Sequence, residues 1–193
     1  MSLDIILVLV SVCLSLFGSY RYIYDTIKGT TRPNRVSQSL WAVAPLIGVG
    51  AAISSGAGVL TTVRTFMSGF IPLVIFIVSF VNKTGYWKTT KSDYFCGIFS
   101  LVALVLWLLI DMPVYAVLFA ALADMFAAIP TIKKSWTNPE SETGAAYVMS
   151  LLSVIVILPT IKVFDIQNTV FQIYLLFIDI VLIFCIYRRR IFR

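Results

Sequence analysis

The same polar stretch occurs twice in this chain, and the distance between the two copies limits the folds that the chain can adopt. The first copy occupies residues 24–37 and the second residues 129–143. In each, Thr-Ile-Lys follows an apolar run, then comes a short polar loop with a proline, and then a hydroxyl residue opens a further apolar run. The offset is 105 residues at Thr-Ile-Lys (26 to 131) and 106 at the proline (33 to 139), in a chain of 193 residues. A repeat of this period predicts a protein built from two similar halves.

The composition predicts an integral membrane protein. Hydrophobic residues make up 60% of the chain and charged residues 12%, whereas a soluble domain carries roughly 25% charged residues. The first residues, 1–4, lack a basic segment, so we expect the first apolar run to be a retained span and not a cleaved signal. The chain has no histidine, and its three cysteines, which we expect to pack as small apolar residues, lack metal-ligand spacing. We therefore expect neither a metal nor another cofactor, and no enzymatic activity.

Seven apolar segments have lengths near the roughly 20 residues that a helix needs to cross a bilayer. They cover residues 5–24, 37–55, 65–81, 94–110, 113–132, 144–161 and 169–187. The segments lack the alternation of period two that a membrane strand shows. The sequence therefore predicts an all-α protein with seven transmembrane helices.

The basic residues predict how these spans are oriented. Thirteen of the fifteen lie at the end of span 1, in the loops after spans 1, 3 and 5, or in the tail; they are Arg21, Lys28, Arg32, Arg35, Lys83, Lys88, Lys91, Lys133, Lys134, Arg188, Arg189, Arg190 and Arg193. The other side has only Arg64 and Lys162. Because short cytoplasmic loops are enriched in Lys and Arg, the N-terminus is predicted outside and the C-terminus in the cytoplasm. The net charge of +6 is thus explained without a nucleic-acid partner.

The repeat and the orientation together predict a 3+1+3 architecture. Spans 1–3 and spans 5–7 form two parallel three-helix repeats, and span 4 joins them as a linker helix. We expect a first unit at 1–87, the linker at 88–111 and a second unit with the basic tail at 112–193. The centre of span 4, residues 101–108, is wholly apolar, which predicts packing on lipid and on neighbouring helices. Parallel repeats place a substrate site at their interface near mid-membrane.

A 3+1+3 arrangement with the N-terminus outside resembles the SWEET and PQ-loop superfamily of small transporters. Pro130-Thr131 stands where PQ-loop proteins have Pro-Gln, near the cytoplasmic end of the first span of a repeat. The basic pair 133–134 and the small polar segment 141–143 resemble the loop that follows this motif. Span 7, with Asp179 about two turns before Tyr187-Arg188, is similar to the last span of the cystinosin-like branch.

The chain also departs from the family pattern. The glutamine of Pro-Gln is Thr131 here, and the first half has Asp25-Thr26 in place of the pair. The two halves are therefore not expected to hinge alike, and the solute of the relatives does not carry over.

The resemblance implies a carrier of a small polar solute, such as a sugar, an amino acid or a vitamin, that works by alternating access with or without proton coupling. A bacterial inner membrane is the expected location, and oligomerisation is left open. The alternative is a non-transporting receptor or scaffold on the same fold. A third class, an intramembrane hydrolase with a dyad of Asp124 and Asp179, lacks its usual Gly-x-Gly-Asp signature.

Two intramembrane acids are the first candidates for the site. Asp179 lies near the middle of span 7, and Asp124 lies in span 5 about 9 Å along the axis before Pro130. Neither has a basic neighbour at helical spacing in its own span. Burial without such a partner favours the neutral form of a carboxylic acid, so either group could carry a proton; the alternative is a neutral acid that hydrogen-bonds a neighbouring helix. At the position of Asp124 the first half has Ser19.

Aromatic and polar residues complete the candidate solute site. Trp41 and Tyr147 each lie eight residues after the loop proline of their half. They could form a clamp around the solute, or they could anchor the chain at headgroup depth. Further candidates that point inward are Ser150, Asn168 and Gln172, and Gln172 shares a helix face with Asp179, seven residues later.

Two pairs are candidates for the cytoplasmic gate. Pro130, with Thr131, removes a backbone hydrogen bond and bends its helix, which allows either a hinge or a static kink. Arg21 and Asp25 are four residues apart and can pair on one helix face. They could close the pore mouth, or Arg21 could serve as a snorkelling anchor.

Overall fold

The computed structural model describes residues 3–54, 59–83, 85–110 and 112–191, and every regular element within these ranges is helical. The α-helices are α1 (Leu3–Lys28), α2 (Arg35–Ser54), α3 (Val59–Val78), α4 (Lys91–Leu109), α5 (Pro113–Thr137), α6 (Gly144–Ile157) and α7 (Ile166–Ile191). Single 3-10 turns follow α5 at Pro139–Ser141 and α6 at Leu158–Thr160. The all-α prediction is confirmed for the described chain.

Three of the described helical segments are long and apolar enough to cross a membrane. They are Leu3–Lys28, Lys91–Leu109 and Thr169–Ile191, and shorter apolar segments occupy Phe66–Val78 and Gly144–Thr160. Large apolar side chains such as Phe95, Val102 and Leu109 are exposed on the outside of α4. In a protein, so large an apolar exterior is typical of contact with lipid or with a partner.

The helices differ from the predicted spans mainly at their ends. α1 continues four residues beyond 24, and α3 begins at Val59, not at residue 65. Hydropathy alone misplaced the start of α3 because residues 61–64, Thr-Thr-Val-Arg, are largely polar but still helical. Next to the apolar centre of α4, residues 101–108, the Ser100 hydroxyl donates to the Ala123 carbonyl at 2.7 Å.

The packing order is the same in the first three and the last three helices. α1 packs on α3 and α3 on α2, while α5 packs on α7 and α7 on α6. The two groups meet through α1 against α6 and α2 against α5, and α4 lies outside, against α5 and α2. α3 and α7 are therefore the central members of their groups.

Contacts along the helices fix their directions. Ser11 contacts Ser153 and Thr31 contacts Thr143, so α1 and α6 run antiparallel. Tyr174 contacts Asp124, while further along both helices Arg188 binds backbone carbonyls at 135–136, so α5 and α7 run parallel. The Arg35 guanidinium reaches Ser79, which brings the start of α2 to the end of α3.

These directions gather most cationic residues at one end of the bundle, which we call the basic end. α1, α3, α5 and α7 end there, and α2, α4 and α6 begin there. The segments at this end carry Lys28, Arg32, Arg35, Lys83, Lys88, Lys91, Lys133, Lys134, Arg188, Arg189 and Arg190.

A glycine sets the closest approach between α1 and α6. A Cβ atom on Gly18 would lie 2.7 Å from the Cβ of Met149 and 3.2 Å from the Cα of Ala146. Both atoms belong to or adjoin the α6 backbone, which cannot yield without moving the helix.

Replacement of Gly18 by alanine should therefore destabilise the fold although alanine is the better helix former. Gly50, on α2, is the matched control, because a Cβ there meets none of the described atoms within 4 Å. In thermal unfolding of the detergent-solubilised protein we expect a lower midpoint for Gly18→Ala and an equal or slightly higher one for Gly50→Ala. Equal midpoints for both variants would contradict the close approach.

Candidate functional site

A cavity of about 270 Å³ lies between the first and last groups of three helices. Its described lining comes from α1, α2, α3, α5, α6 and α7 and leaves out α4. Six of the residues singled out from the sequence contribute to it: Ser19, Trp41, Asp124, Tyr147, Ser150 and Asp179. The structure therefore brings together candidates that lie as far as 160 residues apart in the chain (19 to 179).

The two carboxylates in this cavity are held by separate hydroxyl groups. Asp179 is 4% exposed, and its Oδ2 accepts a hydrogen bond from Ser150 Oγ at 2.7 Å. Asp124 Oδ2 accepts from the Tyr174 hydroxyl at 2.6 Å. Among the side chains that the structure describes, no lysine or arginine lines the cavity. Its electrostatic potential is thus set by acids and by neutral dipoles.

Three aromatic side chains form one part of the wall. Trp41 lies beside Asp124. The rings of Tyr22 and Tyr147 meet edge to face, with centroids 6.3 Å apart and planes at 87°. Both tyrosines are buried in the main apolar cluster, where they are 2% and 8% exposed, and Trp41 packs against its rim.

A row of serines on α1 was missed by the sequence analysis apart from Ser19. Ser11 Oγ lies 2.8 Å from Ser153 Oγ, and Ser15 Oγ donates to the same atom at 2.9 Å. Ser19 Oγ donates to the Ser15 carbonyl at 2.6 Å. Their spacing of four residues places them on one helix face, and this spacing is the signal that could have identified them.

Gln38 is the other lining residue that sequence reasoning missed. It is 3% exposed, and its Oε1 has no hydrogen-bond partner among the described atoms. It stands one turn before Trp41 on α2, and both side chains line the cavity. A buried amide oxygen without a donor costs free energy, so this atom is suited to accept a hydrogen bond from a ligand.

Two further candidates do not join this group. Gln172 is half-buried on α7 but is not part of the described cavity lining. Asn168 also lies on α7, and its side chain falls outside the described residues.

The four gate candidates lie nearer the basic end, in or beside a buried polar layer. Thr131 Oγ1 donates to Ser37 Oγ at 3.0 Å. Thr143 Oγ1 donates to Asp25 Oδ2 at 2.9 Å and lies 2.5 Å from Thr31 Oγ1. Each of these hydrogen bonds joins one copy of the repeated stretch to the other. They close the basic end of the bundle below the cavity.

Arg21 and Pro130 are the remaining gate candidates. Arg21 Nε binds Asp25 Oδ2 at 3.0 Å, and the Arg21 side chain is largely exposed. Pro130 is buried inside α5, which continues to Thr137.

A buried ion pair completes the layer, and the sequence analysis had treated its cation only as a topology signal. The side chains of Lys134 and Glu142 form an ion pair and have no exposed area. Lys134 Nζ also donates to the Arg32 carbonyl at 2.5 Å, and the Arg32 N–H donates to the Ser141 carbonyl at 2.9 Å. Burial lowers the pKa of Lys134, and the charge of Glu142 opposes that shift.

The same glutamate links the layer to the cavity. The hydroxyl group of Tyr147, on the cavity wall, donates a hydrogen bond to Glu142 Oε2 at 3.2 Å. The cavity wall and the closed end therefore share one carboxylate.

Two further findings bear on the chemistry of the chain. Within the described residues, no group of three or more His, Cys, Asp or Glu side chains is placed to hold a metal ion. Comparison with protein-family models, curated proteins and solved structures found no match.

The buried ion pair generates a stability prediction. Loss of one partner of such a pair costs about 3–5 kcal/mol, because the other charge stays buried alone. We therefore expect Glu142→Gln to lower the unfolding free energy by roughly that amount, measured by denaturant unfolding in detergent micelles.

Glu140 offers a matched control two residues away. It faces Arg189 at 3.8 Å, and both side chains are mostly exposed. Exposed pairs contribute little to stability, so Glu140→Gln should leave the midpoint almost unchanged. A similar small effect for both variants would show that the Lys134 pair does not hold the basic end together.

Proposed function

We propose that this protein is a membrane carrier that moves a small polar solute by alternating access. The observation that carries the proposal is a largely apolar cavity between two groups of three helices, with two acids and several hydroxyl groups in its wall and one end closed by contacts between those groups. A site at the interface of two helical groups is what an alternating-access carrier requires.

The architecture that we propose is seven spans arranged as 3+1+3. The common packing order, α1–α3–α2 and α5–α7–α6, supports two related halves. The helix directions support equal orientation of the two halves. α6 is antiparallel to both α1 and α7, and α7 is parallel to α5, so α1 and α5 point the same way. The exclusion of α4 from the described cavity wall supports its role as a linker.

The closed layer at the basic end suits a gate. Hydroxyl contacts such as Thr131–Ser37 and Thr143–Asp25 cross between the two halves, and each is worth only about 1 kcal/mol net. Pro130 directly precedes Thr131, and its missing N–H leaves the helix less rigid at that turn. In our proposal, α5 bends there and carries Thr131 away from Ser37 when the basic end opens.

We propose that the basic end faces the cytoplasm of a bacterium and that the N-terminus is outside. The gathering of cationic residues at this end supports the assignment. The described conformation then corresponds to a carrier closed toward the cytoplasm.

Proton coupling is assigned to Asp179. Its carboxylate is buried with Ser150 as donor and without a described cation in the cavity. Because moving a bare charge through the membrane interior is costly, the protonated form is the one that moves. The separate donors of Asp179 and Asp124 do not favour a hydrolytic dyad, which needs two acids sharing one proton.

A flux assay tests the carrier and its coupling together. In reconstituted vesicles we expect uptake from a panel of labelled small solutes, with acceleration by an acidic exterior. Asp179→Asn, which mimics the neutral acid, should retain exchange at equal pH and lose the acceleration. If no solute moves, the receptor or scaffold alternative is favoured. If the acceleration survives in Asp179→Asn, the proton is carried elsewhere.

Site-directed labelling tests the orientation. Thr137 and Asp165 are exposed positions near opposite ends of the bundle. With Cys13, Cys96 and Cys185 replaced by alanine, a cysteine at 137 should react only with reagent on the cytoplasmic side, and one at 165 only from outside. The reverse pattern would overturn the proposed orientation.

A further inference from the structure

We propose that the cavity selects a small organic amine that is cationic and carries no acid group, with its ammonium group bound at Asp124. This inference rests on the proposed solute site and names the chemical class that the site takes. It concerns binding as well as transport, so each can be tested without the other.

Two polar groups of the cavity wall, Asp124 and Gln38, offer hydrogen-bond acceptors to a ligand, and Trp41 Nε1 offers a donor. Asp124 has one carboxylate oxygen engaged by Tyr174, which leaves acceptor capacity on the carboxylate. Gln38 Oε1 is buried and without a partner among the described atoms. An ammonium group has three donors and no acceptor, and it can satisfy such groups together, whereas an anion can satisfy neither.

The aromatic lining favours a cation for a second reason. Trp41 lies beside Asp124, and the rings of Tyr147 and Tyr22 face the same cavity. The face of an indole or phenol ring attracts a cation, and this attraction is stronger where water is excluded.

The charges around the cavity exclude other classes of solute. Two carboxylates line it, and no described lysine or arginine does. A solute carboxylate would therefore lack a described cationic partner and would repel Asp124 and Asp179. Anions are therefore excluded and zwitterionic amino acids are disfavoured. A neutral polyol would leave the charge of Asp124 without compensation.

The two acids have different tasks in this arrangement. Asp179 accepts a hydrogen bond from Ser150, whereas Asp124 accepts one from Tyr174 and lies beside Trp41. Asp124 also has no acidic counterpart in the first half, where Ser19 occupies the matching position. The amine therefore has one anchoring carboxylate on one side of the cavity, and Asp179 stays free for the proton.

The experiment uses four-carbon compounds of similar size that differ in charge. Putrescine, aminobutanol, γ-aminobutyrate, butanediol and succinate are tested by isothermal titration calorimetry on the full chain in detergent and by flux into vesicles. We expect binding of putrescine and aminobutanol, and binding at least about tenfold weaker for the other three, since a charge-assisted hydrogen bond contributes about that factor.

Variants locate the binding group. Asp124→Asn should weaken binding of both amines by about tenfold or more, and Gln38→Leu should weaken it to a smaller extent. Asp4→Asn is the control: Asp4 is an exposed acid, paired with Lys162, and lies outside the described cavity wall.

The outcomes separate the inference from the proposed function. Amine binding without flux supports the inference and refutes the carrier. Flux of butanediol or succinate without binding of either amine overturns the inference and leaves the carrier intact. Equal binding of all five compounds, or no binding of either amine, overturns the inference. Amine binding that Asp124→Asn leaves unchanged overturns the assignment to Asp124.

Discussion

The ammonium group of Lys134 is the contact on which the closed end of the bundle depends. It is buried between the two copies of the repeated stretch, where it pairs with Glu142 and donates to the Arg32 carbonyl. A buried charge is tolerated only when it is paired and hydrogen-bonded, so the loops at 29–34 and 138–143 must stay in register. The backbone bond from Arg32 to Ser141 and the hydroxyl contact of Thr31 with Thr143 follow from that register. The repeat that stands out in the sequence is therefore also the place where the two groups of helices meet.

The same contact explains why the two copies differ. At offsets of 105 and 106, Lys134 corresponds to Gly29 and Glu142 to Val36, so the first half has no such ion pair. Gly29 adopts a φ of +78°, a conformation that favours glycine and ends α1. In the second half the helix continues past Lys134 to Thr137, which holds the lysine on a rigid element. Where the first half has a turn at Gly29, the second half has a further stretch of helix that carries the buried Lys134. The proline next to the buried layer, Pro130, lies inside α5.

The number, order and type of the helices followed from apolar runs, because a run of about 20 apolar residues has few alternatives in a membrane. The side chains that face one another were harder to predict. Trp41, Asp124 and Asp179 stand out as polar or aromatic residues inside such runs, and all three line the cavity. Ser11 and Gln38 do not stand out, since serine and glutamine occur at many helix positions without a role. The sequence does not distinguish the buried Lys134 from its exposed neighbour Lys133. The burial of Lys134 depends on Glu142, which lies beyond a loop, and on Arg32, which lies in the other half.

The cavity and the closed end are joined through a single carboxylate. Glu142 accepts from Tyr147 on the cavity wall and at the same time pairs with Lys134 in the closed layer. Tyr147 in turn packs edge to face on Tyr22, which belongs to the other group of helices. Displacement of the Tyr147 ring would therefore take one hydrogen-bond donor from Glu142 and leave its carboxylate paired with the Lys134 ammonium. Because the Lys134 ammonium also holds the Arg32 carbonyl, that change reaches the first group of helices directly. Three side chains in direct contact, those of Tyr147, Glu142 and Lys134, thus connect the cavity wall to the Arg32 carbonyl at the basic end.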